Sequence, residues 1–298
     1  MCSRLVSLLV AAASRLLPAS CGEDGGDPPP RIPVIVYHGL TTDSEVTTDQ
    51  QDSRFFEVRL SAFEAQMAHL HEAGFHTITP SQYRKWVDDL AVSLPDKPVL
   101  VTFDDGQTST QLATSVLERY DFKAVMYVVS GFADGSFGGP HGEPGWYLTW
   151  EQLVEMRSTG RWIMQFHAGP RGHAYVNDPA DPTCHRYYPC RFGEDDATYR
   201  ARVKGDVAQG LGATRTAFGL PEGWHGSTFA VPWDDTAGPM TTTEPWLAAY
   251  FASLFPVVFV QESYSGEADN QRYRFEVHNP IELDEFRAEL DNQRFDRE

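Results

Sequence analysis

The chain has 298 residues, enough to bury one barrel-sized domain or two smaller ones. Its 41% hydrophobic and 22% charged residues are those of a globular protein, and its formal charge of -18 argues against nucleic acid and against anionic membrane surfaces as partners. At the N-terminus Arg4 precedes an apolar run over 5–13, too short to span a bilayer as a mature helix, so residues 1–21 read as an export signal. The stretch Leu16-Leu17-Pro18-Ala19-Ser20-Cys21 resembles a bacterial lipoprotein cleavage site, although Arg15 and Pro18 depart from that pattern. A lipid on Cys21 is therefore the one route to a membrane, and the expected location is extracellular or at the cell envelope. Residues 22–31, rich in acids, Gly and Pro, read as a flexible linker, which leaves 32–298 as a single domain.

From Pro33 onward strand-like and helix-like stretches alternate. Strands are expected at 33–38, 76–79, 99–105, 124–129, 162–167, 229–232, 257–261 and 273–277. Helices are expected at 60–73, 81–90, 108–120, 149–158, 195–211 and 283–290. Thr149 followed by Gln152 suits a capping box. Such alternation argues for an α/β fold of parallel strands with helical crossovers, closed or nearly closed into a distorted (β/α) barrel of about seven strands. Two long loops, 131–145 and 168–194, interrupt the rhythm where a cleft would be lined.

The chemistry concentrates at strand ends. Val99-Leu100-Val101-Thr102-Phe103 runs into Asp104-Asp105-Gly106, a buried strand delivering two carboxylates to its C-terminal edge. Two adjacent acids conflict unless a cation separates their roles, one ligating and one acting as base. The simpler reading is a solvated Asp-Asp-Gly turn. His167 and His173 follow another strand. Six residues separate them, so neither a helix nor an extended strand brings both to one ion; Gly169, Pro170 and Gly172 permit a tight loop that does. Two imidazoles and a carboxylate with an open position form a catalytic zinc-type shell, which Co2+, Ni2+ or Mn2+ also suits. The alternative is a buried strand histidine and an unrelated loop residue. His38 ends the first strand and falls at the same edge. Cys184 and Cys190 suit a short-loop disulfide in an exported chain; a metal site built on them and His185 is the rival.

At these residues the chain resembles the polysaccharide deacetylases of carbohydrate esterase family four, the NodB-homology family. Thr102-Phe103-Asp104-Asp105-Gly106 matches the family's first motif. The resemblance implies Asp104 as general base, Asp105, His167 and His173 as metal ligands, and a backbone N–H at Trp233, in Phe229-Ala230-Val231-Pro232-Trp233, as oxyanion donor beside Pro232. The family's arginine in that region is not evident; Arg215 and Arg171 are candidates to replace it. The opening strand resembles the exported poly-N-acetylglucosamine deacetylase branch, which implies His38 as general acid, with His278 as second choice. The implied activity is metal-dependent hydrolysis of N-acetyl groups on an N-acetylglucosamine-containing polysaccharide, releasing acetate. An amidase acting on another amide and a non-catalytic carbohydrate-binding relic are the alternatives. Phe132, Phe137, Trp146, Tyr147, Tyr175, Trp224 and Trp233 are candidates to stack on sugar faces.

Overall fold

A computed structural model describes residues 32–42, 56–137, 145–233, 245–260, 271–278 and 281–294. The expected export signal, its Cys21 and the linker 22–31 lie outside these residues. In chain order the elements are β1 (Val34–Tyr37), β2 (Gly39–Thr41), β3 (Glu57–Arg59), α1 (Leu60–Glu72), β4 (His76–Thr77), α2 (Pro80–Val87) and β5 (Pro98–Phe103). A 3-10 turn (Thr108–Leu112) leads into α3 (Ala113–Arg119), followed by β6 (Ala124–Val129), α4 (Ser130–Ala133), α5 (Trp150–Ser158), β7 (Trp162–Ala168) and α6 (Asp196–Phe218). The chain continues through β8 (Phe229–Ala230), α7 (Pro245–Leu254), β9 (Val258–Val260), β10 (Gln271–Tyr273), β11 (Phe275–Glu276) and α8 (Leu283–Arg294).

Among the described residues every strand pair is parallel. One sheet runs β11-β1-β5-β6-β7 with β4 paired to β5, and a second runs β10-β9-β8. The two curl toward each other as a distorted (β/α) barrel. At one seam β10 and β11 are separated only by Arg274, whose N–H donates to the Val260 carbonyl at 2.8 Å. At the other seam side chains bridge the strands. Gln165 Oε1 accepts from the N–H groups of Ser227 (2.9 Å) and Thr228 (3.4 Å), and His167 Nδ1 lies 2.9 Å from the Ala230 carbonyl.

Strand periodicity decides what faces the ring. On β5, Val99, Val101 and Phe103 pack outward into the main core beneath the helices, and Leu100, Thr102 and then Asp104 point to the inner side. β6 (AVMYVV) is buried along its whole length, as expected of a parallel strand covered on both faces. The capping box at Thr149 and Gln152 forms as its residues predict, and a second one at Thr79 and Gln82 opens α2.

Beyond β2, β3 and α4, which the sequence expectation lacks, three further elements differ from it. α6 runs on past residue 211 to a left-handed Gly219; its internal glycines do not stop it, because Gly210 faces Gly169 and Phe166 where a Cβ would collide. The expected strand at 273–277 divides into β10 and β11, since the chain changes sheets at Arg274. α7 was not expected: Leu247, Phe251 and Phe255 recur at i+4 and pack with Phe229 and Phe166, a helical stripe hidden by Pro245 and a surrounding aromatic run.

Candidate active site

β5 delivers the acids. After Phe103, Asp104 N–H donates to the Tyr37 carbonyl at 2.9 Å, continuing the strand by one residue. Asp105 and Gly106 then both take positive φ (70° and 79°), and the Gly106 N–H folds back to the Asp104 carbonyl at 2.8 Å. Aspartate tolerates this left-handed conformation better than most residues. The turn puts two consecutive carboxylates into one cavity instead of on opposite sides of a strand.

The two acids then find different partners. Asp104, 2% exposed, receives both terminal nitrogens of Arg274, Nη1 to Oδ1 at 2.8 Å and Nη2 to Oδ2 at 2.7 Å. Burial pushes its pKa up, but the Arg274 guanidinium, with His167 and His38 beside it, more than offsets burial and holds the carboxyl below its ordinary value. Asp105 Oδ1 is 3.1 Å from His173 Nε2 and 3.5 Å from His167 Nε2. Burial again works upward, and the two imidazoles hold this carboxyl well below the usual range.

The histidines reach that oxygen by separate routes. His167 sits near the end of β7, where the pairing with β6 slips: Val128 faces Phe166, Val129 faces Ala168, and His167 is the extra residue. Such bulges re-aim side chains beside functional sites. Its Nδ1 against the Ala230 carbonyl leaves Nε2 to face Asp105. His173 comes back from a tight loop, as Gly169, Pro170 and Gly172 predict. Its ring stacks on Trp233 at 4.5 Å and meets Phe132 edge-on at 5.5 Å. Burial pushes its pKa down to about 4, so the imidazole is neutral near pH 7.

Asp105, His167 and His173 offer ligand atoms within 4.8 Å of one another. Asp105 Oδ1 is buried with no hydrogen-bond donor among the described residues. A carboxylate oxygen without a donor, faced by two imidazole nitrogens, fits a divalent cation; the expected trio comes together as a ligand set.

His38 ends β1 with its Nδ1 3.4 Å from Glu276 Oε1 on β11. His278 lines a separate cleft with Val58, Arg59 and Glu282. Trp233 follows Pro232 and adopts a left-handed backbone (φ 65°), which a bulky residue rarely does, and Arg186 Nη1 donates to its carbonyl at 3.2 Å. Cys184 and Cys190 form a disulfide with Cα atoms 5.6 Å apart, and the His185 ring stacks on Tyr175, so the rival metal site is set aside.

Two expectations need correction. Neither Arg171 nor Arg215 holds the base: Arg171 lies over the Tyr187 ring and Arg215 donates to the Glu222 carbonyl. Arg274 does, from the junction of β10 and β11, 170 residues away. Its signal was an arginine amid the apolar strand residues of 273–277, since a charge at a buried position needs an opposite one. Phe132 and Tyr147 are not sugar platforms; they are buried and stacked on each other at 3.9 Å, with Phe132 edge-on to His173. Phe137, Trp146 and Trp224 pack partly buried against the apolar cluster that holds Phe132, Phe166 and Phe229, whereas Tyr175 stays 56% exposed.

With this geometry in view, residues 91–224 match the family model for polysaccharide deacetylases. The matched stretch, 134 of the 298 residues, is similar to polysaccharide deacetylases. That stretch contains both acids and both histidines, whereas His38, Trp233 and Arg274 fall outside it. YxkH of Bacillus subtilis (strain 168), a polysaccharide deacetylase by name, is 31% identical over 137 residues, covering 44% of this chain and 40% of that protein. The poly-beta-1,6-N-acetyl-D-glucosamine N-deacetylase of Escherichia coli (strain K12) is 30% identical over 186 residues, covering 55% of this chain and 26% of that protein. The match thus spans less than half the length of either relative. The structure of IcaB from Ammonifex degensii superposes with a TM-score of 0.62 at 21% identity, covering 89% of this chain and 97% of that one, which establishes the shared fold.

Proposed function

We propose that this domain is an exported, metal-dependent N-deacetylase acting on an N-acetylglucosamine-containing polysaccharide and releasing acetate. One observation carries the reading. Two neighbouring carboxylates have been given different partners: Asp105 aims a donor-free oxygen at two imidazoles, and Asp104 is clamped, ionised, by Arg274. Environments that separate two acids in this way mark separate chemical roles. A binding relic has no use for a second buried carboxylate held by its own guanidinium.

A divalent ion held by Asp105, His167 and His173, taken to be Zn2+ with Co2+, Ni2+ or Mn2+ as substitutes, supplies Lewis acidity toward an amide carbonyl and lowers the pKa of water. Asp104 Oδ2 lies 4.0 Å from His167 Nε2, so it borders the ligand cluster and accepts a proton from attacking water. Arg274 keeps that carboxylate ionised and fixes its plane. The Trp233 N–H is the donor to the oxygen that gains charge; such a donor is worth ~3 kcal/mol of barrier. His38, oriented by Glu276, gives a proton to the departing amine; its place at the β1 edge favours it over His278. The acidic chain suits a polymer that turns cationic as acetyl groups leave. In this proposal residues 1–21 direct export and Cys21 is a site for lipid.

The test is acetate release from short N-acetylglucosamine oligomers by zinc- or cobalt-loaded protein. Asp104→Asn is expected to abolish release and still bind metal, and His167→Ala to lose both. An Asp104→Asn variant that turns over like the parent removes Asp104 from the mechanism. His38→Ala is expected to cripple the rate and His278→Ala to leave it; the reverse moves the acid to the C-terminal strand.

A further inference from the structure

The two ligand histidines are not secured alike. His167 Nδ1 meets the Ala230 carbonyl, whereas His173 Nδ1 is buried without a hydrogen-bond partner among the described residues. An imidazole ligand ordinarily owes its orientation to a partner on its other nitrogen. His173 must take its position from the loop that carries it.

That loop is fastened at every backbone donor. Between the histidines, residues 169–172 offer three N–H groups, since Pro170 has none. The Gly169 N–H donates to Tyr188 Oη at 3.1 Å. The Arg171 N–H donates to Asp206 Oδ1 at 2.8 Å, and the Gly172 N–H bonds the same carboxylate. Tyr188 Oη closes the circuit by donating to Asp206 Oδ2 at 2.9 Å. One carboxylate and one phenol, both buried, thus satisfy the whole segment. Contact is equally close: a Cβ at Gly172 would strike the Tyr188 ring, and one at Gly169 would strike Asp206.

The two fastening residues are themselves anchored. Tyr188 lies inside the Cys184–Cys190 disulfide loop, within residues 176–194 of the long loop after β7, a segment called the insert below. Arg202, one helical turn before Asp206 on α6, donates to the carbonyls of Tyr187 (2.8 Å) and Cys190, and its Nε bonds Glu194 at 2.9 Å. Arg186 of the same insert holds the Trp233 carbonyl, and the Trp233 ring stacks on His173.

We infer that the disulfide-stapled insert and α6 set the position of the His173 ligand, with Tyr188 and Asp206 as its positioning residues; this rests on the metal-centre reading above. The insert is then a brace for the metal, built from hydrogen bonds to the ligand loop.

The experiment titrates metal-free full chain with Zn2+ against a chromophoric chelator and reads the dissociation constant. Tyr188→Phe is expected to weaken Zn2+ about tenfold and Asp206→Ala by up to about a hundredfold, the range for groups that orient ligands from outside the coordination sphere. Asp206→Asn, whose amide oxygen still accepts backbone N–H bonds, is expected to recover part of that loss. Leu153→Ala, in the core under α5, lowers stability and leaves Zn2+ affinity unchanged. Tyr188→Phe binding within about twofold of the parent, or Leu153→Ala weakening Zn2+ equally, overturns the inference while the metal centre stands. Parent protein that binds no Zn2+ overturns the metal centre itself. Should Asp206→Ala fail to fold, Tyr188→Phe, which removes a single oxygen, decides the matter.

Discussion

His167 and His173 converge on one carboxylate oxygen from unlike parts of the molecule. His167 belongs to an edge strand laddered in parallel to β6 on one side, with a single bulge to turn it and one carbonyl across the seam to hold its ring. His173 belongs to an irregular loop whose every donor is satisfied by side chains from an insert and a helix. The difference shows two ways of making a rigid ligand. A strand inherits rigidity from its ladder and core, and a loop must have it built bond by bond, because its backbone groups have no regular partners.

The comparison can be broken first on the strand side. Arg274→Met leaves Asp104 buried without its counter-charge, and the loss of stability is expected at about 3–5 kcal/mol in urea unfolding. A loss below about 1 kcal/mol, the range of exposed pairs, would show that the clamp is not a buried ion pair in solution. On the loop side, Gly172→Ala forces a methyl against the Tyr188 ring and is expected to cost about 1–3 kcal/mol. Its distinguishing signature is weaker Zn2+ binding out of proportion to the stability lost; stability lost with affinity intact would make the loop ordinary packing.

The smallest effect concerns pH. Burial raises the pKa of Asp206, against hydrogen bonds from Arg171 and Tyr188 that lower it. A carboxyl that holds its proton more tightly when folded adds stability at low pH, and loses that contribution as pH rises through its folded pKa. Compared with Asp206→Asn, which does not titrate, the parent is therefore expected to lose ground in melting temperature as pH rises above about 4, the ordinary aspartate value. A gap independent of pH between acid and neutral conditions would mean that Asp206 does not carry this shift.

Much of the strand half was legible from local pattern. β6 has the bounds its apolar run indicates, α5 opens at the capping box its Thr and Gln announce, and Asp-Asp-Gly turns at the end of β5 as those residue types favour. The Gly-Pro-Gly content of 169–172 likewise foretold a loop able to return His173. Less was legible where one residue serves two elements. Arg274 stands between sheets, so reading 273–277 as one strand hid the position from which it reaches Asp104. α7 went unread because its apolar stripe lies among other aromatics, and only the packing of Phe251 and Phe255 against Phe229 shows which face is buried.

Local chemistry was enough to name the candidate ligands and the candidate base: side-chain type, strand period and turn preference all act within a few residues, and they act on the chain alone. Which partner each group would find was decided by folding. The guanidinium on Asp104, the carboxylate under the ligand loop and the phenol beside it come from segments 19 to 170 residues distant. No local rule selects among such distant candidates; closing the barrel and docking α6 against it does, by burying these groups where only one another can satisfy them.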